Sequence, residues 1–268
     1  CSSDLEKDLG VELVWYDDVE DAVEILSKFV EKDKPIGIDK VWPARFLLRL
    51  QELGAGSKFL NGSMIVDYVR MVKDEHEQQL MREASLANDK IMEELIPLVV
   101  KGYTENELNA KVREMYAASG HSGVSFDPIT AYGKSGADPH HVTDDTKGKR
   151  GDSVVLDIGG ILNDYCSDMT RTVFIGEVSD KAREVYEVVK EAQQRGIDAV
   201  RPGARMCDVD LACRNYITEK GYGEYFTHRT GHSIGMEDHE YGDVSSVNED
   251  IIQVGQVFSI EPGIYLMD

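Results

Sequence analysis

Residues 157–171, DIGGILNDYCSDMTR, constrain this chain more than any other stretch. They carry two aspartates, Asp157 and Asp168, on the two arms of what reads as a β-hairpin. Residues 153–158 form a β-branched, apolar run, Gly159-Gly160 and Asn163-Asp164 offer turn residues, and residues 170–175 are a second strand-like run. A carboxylate inside an apolar strand is costly to bury, because it must give up its hydration. Two on paired strands repel each other unless a cation sits between them, and a divalent metal is the usual solution. Two exposed strand-end aspartates would show the same spacing. The pair alone does not choose; the rest of the chain does.

With 268 residues the chain is long enough for one large domain or two ordinary ones. Its net charge of -21 argues against nucleic acid or an anionic membrane as a partner. No stretch approaches the roughly 20 apolar residues of a membrane span, and no signal-peptide pattern opens the sequence. Cys1, Cys166, Cys207 and Cys213 lack CxxC spacing, so reduced thiols in a cytoplasm are expected. A first residue other than methionine suggests a fragment.

Residues 1–71 alternate short strand and helix signals, which predicts an α/β piece. Strands are expected at 11–16 and 35–38, and helices at 18–32 and 43–53. A long helix is then expected after Asp74, whose Glu77 has capping-box spacing; Thr104 with Glu107 repeats that signal. Further helices are expected from Ser179-Asp180 and from about Cys207 to Lys220. A faint repeat aligns Val100, Gly102, Leu108 and Gly120 with Val200, Gly203, Leu211 and Gly221. Two similar α/β halves would place a site at their interface.

Five of the seven histidines fall in two short stretches, His140-His141 and the run containing His228, His232 and His239. Glu261 is another acid in an apolar run, VFSIEPGIY. Two aspartates, a glycine-flanked histidine and a strand glutamate form an oxygen-rich donor set with one nitrogen. Such a set suits Mn²⁺, Co²⁺, Fe²⁺ or Zn²⁺ better than a cysteine-bound structural zinc.

The order Asp157, Asp168 in SDMTRT, His232 in GHSIG and Glu261 in EPG resembles the pita-bread metallopeptidases. These include methionine aminopeptidase, aminopeptidase P, prolidase and creatinase. The resemblance implies an α+β pita-bread fold: two pseudo-symmetric α/β halves around a curved antiparallel sheet, spanning residues 72–268. It implies a partial creatinase-like N-terminal α/β domain over residues 1–71. Asp157, Asp168, His232 and Glu261 match the family's metal ligands, Asp168 being the one that bridges both ions. His140 and His239 match substrate-facing histidines. His228, four residues before His232, is typical of the proline-specific branch.

The resemblance therefore implies a cytoplasmic enzyme with two divalent ions, Mn²⁺ or Co²⁺ first and Zn²⁺ or Fe²⁺ as alternatives. It would hydrolyse Xaa-Pro bonds of dipeptides or peptide N-termini through a metal-bridging hydroxide. Glu261 would take the proton, His239 would hold the carbonyl, His140 would face the leaving nitrogen, and His228 would define the proline pocket. A small peptide substrate and a homodimer complete the expectation, with neither nucleic acid nor membrane as partner. The alternatives are an inactive pita-bread binding module and a metal-dependent lyase on the same fold. The family's fifth ligand, a glutamate on the last strand, is expected beyond Asp268, so the domain would be truncated before that strand. Two departures stand near the ligands: Ser233 replaces a usual glycine, and Tyr241-Gly242 stands where a proline is common. Cys166 and His141 are expected to be a buried structural thiol and a plain neighbour of His140. His76 and His121 are expected at the surface or in the core, and Arg171 is expected to pack or pair near the hairpin.

Overall fold

The computed structural model describes residue 10, residues 12–139 and residues 141–267. The chain divides into two compact units, Cys1–Val66 and Asp67–Asp268.

In the first unit, helix α1 (Ala22–Leu26) is followed by strand β1 (Pro35–Ile38), helix α2 (Ala44–Glu52) and strand β2 (Lys58–Asn61). The two strands pair in parallel around a small core of Val23, Leu50 and Ala55. Of the strand expected at 11–16, residue 11 lies outside the described residues, and residues 12–16 form no strand and have no ladder partner among the described residues; Trp15 and Tyr16 are exposed. Its alternation has nothing to pack against. The helix expected over 18–32 shortens to five residues, because Asp21 caps it from inside the predicted span, its carboxylate accepting from the amides of Val23 and Glu24. Of its predicted apolar face only Val23 is buried, while Val19 lies in solvent.

Helix α3 (Ser63–Met71) leads to the long α4 (Glu75–Leu95). Asp74 and Glu77 form the expected capping box at its start. Helix α5 (Glu105–Ala118) starts with a second capping box, Thr104 and Glu107. Strands β3 (Gly123–Val124), β4 (Ile129–Tyr132), β5 (Ser153–Ile158), β6 (Gly160–Leu162), β7 (Tyr165–Cys166) and β8 (Met169–Phe174) then form two antiparallel three-stranded sheets. Leu95, Leu108, Val112 and Tyr116 pack against Val154, Leu156 and Ile158 to form the core of this half.

A second helical pair, α6 (Asp180–Ala199) and α7 (Met206–Glu219), follows, with Ser179 capping α6 as expected. Strands β9 (Gly231–Ser233) and β10 (Glu240–Val244) pair antiparallel beyond it. The repeat is real in three dimensions, but its register differs from the predicted one inside the helices. Glycines 102 and 203 both have positive φ, 81° and 88°, as do Gly120 and Gly221 at 84° and 87°. That offset pairs Leu108 with Val209, and both are fully buried. Leu211, the predicted partner, lies on the half-buried flank of α7.

Candidate metal centre

Strand pairing sets the two aspartates in place. In the β5–β8 ladder Asp157 stands opposite Thr170, and Asp168 immediately precedes β8. The intervening residues form their own hairpin, β6–β7, turning through Asn163 (φ 50°) and Asp164 (φ 66°), as a tight two-residue loop requires. Gly159 serves close approach and not turning: a Cβ there would lie 2.1 Å from the Ser167 carbonyl oxygen. Beneath the hairpin, the buried Asn88 side chain donates to the Ile158 carbonyl (3.1 Å) and accepts from Tyr116 Oη (2.6 Å).

His232 and Glu261 come from neighbouring extended segments. Ser259 N donates to the His232 carbonyl (2.8 Å) and Glu261 N to the Thr230 carbonyl (2.7 Å). The strand expected around 257–265 is thus an extended segment beside β9, joined to it by a bridge between Ser233 and Phe258. Only glycine fits at 231, where a Cβ would meet the Ser259 carbonyl oxygen at 2.0 Å.

These elements bring Asp168, His232 and Glu261 together, with one donor atom of each within 4.8 Å of the others. His232 Nε2 lies 3.2 Å from Asp168 Oδ2 and 3.3 Å from Glu261 Oε1. On its other side His232 Nδ1 faces the Ser233 carbonyl at 3.2 Å. A carbonyl only accepts, so in the neutral ring Nδ1 carries the proton and Nε2 keeps the lone pair that a metal would take, while without metal the two carboxylates favour the imidazolium. Asp157 stands outside this close group. It accepts from Thr170 Oγ1 (2.8 Å) and is coupled electrostatically to Asp168 and Glu261.

The acids disfavour one another's ionisation. Burial, then the Asp168 charge, push Asp157 up to about 8 against the Thr170 hydrogen bond. Burial and Asp168 likewise push Glu261 up to about 7. Burial disfavours the His232 imidazolium, yet Asp168 and Glu261 outweigh it and raise that pKa. Asp238 joins the cluster electrostatically: burial and Asp168 raise it to about 6, and its Oδ1 is buried without a hydrogen-bond partner among the described residues. Repelling carboxylates, an orphaned carboxylate oxygen and an imidazole presenting a free lone pair are the donor chemistry that a divalent cation satisfies.

Residues 79–268 match the profile described as "Metallopeptidase family M24", and residues 4–72 match the "Creatinase/Prolidase N-terminal domain". The chain belongs to metallopeptidase family M24. It is 36% identical over 239 residues to an Xaa-Pro dipeptidase of Pyrococcus horikoshii, an alignment covering 89% of this chain and 68% of that protein. The crystal structure of a prolidase from Thermococcus sibiricus superposes with a TM-score of 0.92 at 35% identity, covering 99% of this chain and 74% of that one. An uncharacterized peptidase of Staphylococcus aureus is 40% identical over 210 residues, 78% of this chain. The chain spans 60% of the length of that relative. The catalytic unit has the M24 pita-bread fold, with a creatinase-type domain before it.

Within this M24 centre the remaining predicted residues are placed as follows. The His239 ring lies 3.9 Å from the His232 ring, centroid to centroid. His228 Nδ1 faces the Arg229 carbonyl (2.6 Å) and its Nε2 faces Tyr265 Oη (2.8 Å), so in the neutral ring Nδ1 donates and Nε2 accepts from the phenol. His140 lies outside the described residues. Cys166 is a buried free thiol whose pKa burial pushes up to about 11. His121 is buried beside Tyr116 and Ser119, and Arg171 folds back onto the Thr170 carbonyl.

Four residues of the centre were missed from the sequence: Thr170, Asp238, Ser259 and Tyr265. Ser259 and Tyr265 stand two before and four after Glu261, a spacing that shares one face of an extended segment, so that signal was available. Asp238 gave none, since an acid next to a histidine is unremarkable in so acidic a chain.

The two departures from the M24 pattern prove to be one packing change. Gly242 sits at a register shift in the β9–β10 pairing with φ 102°, a conformation closed to proline. A Cβ on Gly242 would lie 2.8 Å from Ser233 Oγ, so the serine occupies space that the glycine leaves.

Proposed function

We propose that this chain carries the centre of a metal-dependent Xaa-Pro dipeptidase, with cleavage at the N-terminus of longer Xaa-Pro peptides as the alternative range. The observation that carries it is the cluster of Asp168, His232 and Glu261, with the His239 ring 3.9 Å from that of His232 and the Glu261 carboxyl raised to about 7. The proposed metal ligands are Asp157, Asp168, His232 and Glu261, for two divalent ions, Mn²⁺ or Co²⁺ first. When bound, such ions supply Lewis acidity, activating water and polarising the scissile carbonyl.

The chain's own groups do the rest. Glu261, beside the proposed ions, takes the proton of the attacking water as its base. Ser259 Oγ donates to its Oε1 (3.0 Å) and holds the carboxylate in place. His239, its ring beside His232, stabilises the carbonyl oxygen as charge develops there. His228, fixed between the Arg229 carbonyl and Tyr265, offers a ring face to the proline side chain. His140 is assigned to the leaving nitrogen by its sequence position. Residues 1–71 are assigned to the N-terminal domain and 72–268 to the catalytic one. A cytoplasmic homodimer belongs to the same proposal, checked by fractionation and sedimentation; among the described residues no helix is long and apolar enough to cross a membrane.

The test is hydrolysis of an Xaa-Pro dipeptide and of a longer Xaa-Pro peptide by the full-length protein, after chelation and after adding back Mn²⁺, Co²⁺ or Zn²⁺. Metal-restored cleavage of the dipeptide alone supports the dipeptidase, and cleavage of both supports the aminopeptidase range. Absence of cleavage with metal bound overturns both and favours a lyase; absence of metal binding favours a binding module.

A further inference from the structure

Two buried carboxylates that contribute no donor to the centre are unused by this chemistry. Glu105, in the first turn of α5, is fully buried. Its Oε1 accepts from Tyr132 N (2.9 Å), and its Oε2 accepts from Asp144 N (3.1 Å) and lies 2.6 Å from His141 Nε2. Glu240, at the start of β10, has a side chain 4% exposed. Its Oε1 accepts from Arg70 Nη2 (2.7 Å) and Met236 N (3.0 Å), and its Oε2 from Lys73 Nζ (2.8 Å). Lys73 is itself 1% exposed.

The two arrangements share a logic. Each carboxylate takes three donors, at least one of them a loop amide and at least one a basic side chain. In each case one member of the pair directly follows a histidine assigned to face substrate: His141 follows His140, and Glu240 follows His239. Glu105, His141 and Asp144 could together be read as a second cation site. Both Glu105 oxygens are already occupied by donors, so they are better read as a clasp.

Stability alone is a weak reason for such pairs, because apolar replacements of similar volume often serve as well. What a saturated carboxylate gives is fixed geometry. Glu240 shows this directly. A Cβ on Gly235 would lie 2.5 Å from Glu240 Oε1, so the carboxylate fills the space beneath the turn at 235–237, which closes through a Gly235 N to Glu237 carbonyl bond (3.0 Å). That loop carries Asp238 and His239 over the centre.

We infer that Glu105 and Glu240 are positioning residues, Glu240 clasping the loop that presents His239 and Glu105 clasping residues 141–144, which follow the histidine assigned to the leaving nitrogen. The activity arm of the test rests on the Xaa-Pro reading; the spectroscopic arm does not. The full chain loaded with Mn²⁺ is assayed on an Xaa-Pro dipeptide as parent, Glu240→Gln, Lys73→Met, Lys73→Arg and Glu105→Gln. Metal affinity is measured by titration, and the imidazole signals are followed by ¹⁵N NMR of the metal-free forms. Expected are a kcat loss of at least about tenfold in Glu240→Gln, Lys73→Met and Glu105→Gln, the range that outer-shell partners usually command. Mn²⁺ affinity stays near the parent's, and Lys73→Arg, which keeps the cation, recovers most of kcat. The His239 signals shift in Glu240→Gln and the His141 signals in Glu105→Gln, while those of His232 hold. Because Glu240→Gln strands a buried lysine, assays run well below each variant's Tm, and Lys73→Met supplies the second route. Parent-like kcat in folded variants, unmoved histidine signals, or metal affinity falling in step with kcat would each overturn the inference. If the parent cleaves no Xaa-Pro peptide, the Xaa-Pro reading fails and the histidine spectra decide the clasp alone.

Discussion

The two halves of the catalytic unit share a scaffold and divide its chemistry. In the first half Glu105 N donates to the Thr146 carbonyl (3.1 Å) and Asn106 N to that of Asp144 (3.0 Å). In the second, Met206 N donates to the Asp250 carbonyl (3.0 Å) and Cys207 N to that of Asn248 (2.7 Å). Thr130 Oγ1 donates to Asn109 Oδ1 (2.9 Å) where Thr230 Oγ1 donates to Asp210 Oδ1 (2.8 Å). Backbone and hydroxyl geometry repeat, but the charges do not. The first half supplies Asp157 and Asp168 and keeps a neutral amide at 109. The second supplies His232 and Glu261 and puts at 210 a fully buried carboxylate, gripped by Arg214 through Nε (2.8 Å) and Nη2 (3.0 Å). Arg214 reaches on to the Phe226 and His228 carbonyls, holding the segment that leads to β9 and His232. The duplicated part makes the frame, and the unlike part makes an acid pair face a histidine and a glutamate.

If each half contributes a donor that the other cannot replace, removing one from either side should be equally disabling. Asp168→Asn and Glu261→Gln are each expected to lower kcat by about 10²–10⁴-fold, the range of a lost acid–base group. Metal titration is expected to show weakened binding in both. A variant of one half that kept near-parent kcat would show that half to be frame only.

The charge difference at 109 and 210 predicts unequal stability costs. Asp210→Asn leaves Arg214 without its carboxylate and is expected to cost about 3 kcal/mol. Asn109→Ala loses neutral hydrogen bonds only, expected at about 1 kcal/mol. Urea unfolding of the metal-free forms compares them, and equal costs would erase the distinction between the halves.

One step out from the donors the halves agree again. Thr170 Oγ1 holds Asp157 in the first and Ser259 Oγ holds Glu261 in the second. Thr170→Val and Ser259→Ala are each expected to weaken Mn²⁺ binding by about 10-fold, as loss of an outer-shell partner does. Isothermal titration reads the effect, and a variant that left Mn²⁺ affinity unchanged would mean that the carboxylate its side chain holds is no ligand.

What could be read from the sequence was what lies local in it. The capping pairs Asp74–Glu77 and Thr104–Glu107 act within one helical turn, and both form. The order of Asp157, Asp168, His232 and Glu261 pointed to one centre because their residue types share a chemistry. The residues that escaped act across the fold. Glu105 reads as an ordinary first-turn acid, and its burial appears only when the 141–146 segment closes over it. Asp210 and Arg214 read as an exposed i,i+4 pair, until Thr230 and the His228 carbonyl arrive from elsewhere. The strand expected at 11–16 failed for the converse reason. Alternation specifies a face, and nothing among the described residues supplies residues 12–16 with a pairing partner.

The smallest effect expected is on pH, and it separates the halves by where they titrate. Asp157 in the first half has its carboxyl raised to about 8, and Glu261 in the second to about 7. In both the folded chain holds the proton more tightly than the unfolded one, whose carboxyls titrate near about 4. The stability this contributes is complete below that lower value and is lost as pH rises through about 7 and then about 8. Above pH 7 most ordinary histidines are already neutral, so the acids dominate the slope. The Tm of chelated protein is therefore expected to fall by a few degrees between pH 7 and pH 9. Asp157→Asn is expected to flatten the upper part of that fall and Glu261→Gln the lower part. Mn²⁺ reverses the direction, raising Tm more at pH 9 than at pH 7, since its ligands bind as carboxylates. A flat profile without metal, or a larger metal-induced rise at the lower pH, would mean that these acids do not face one another as the structure places them.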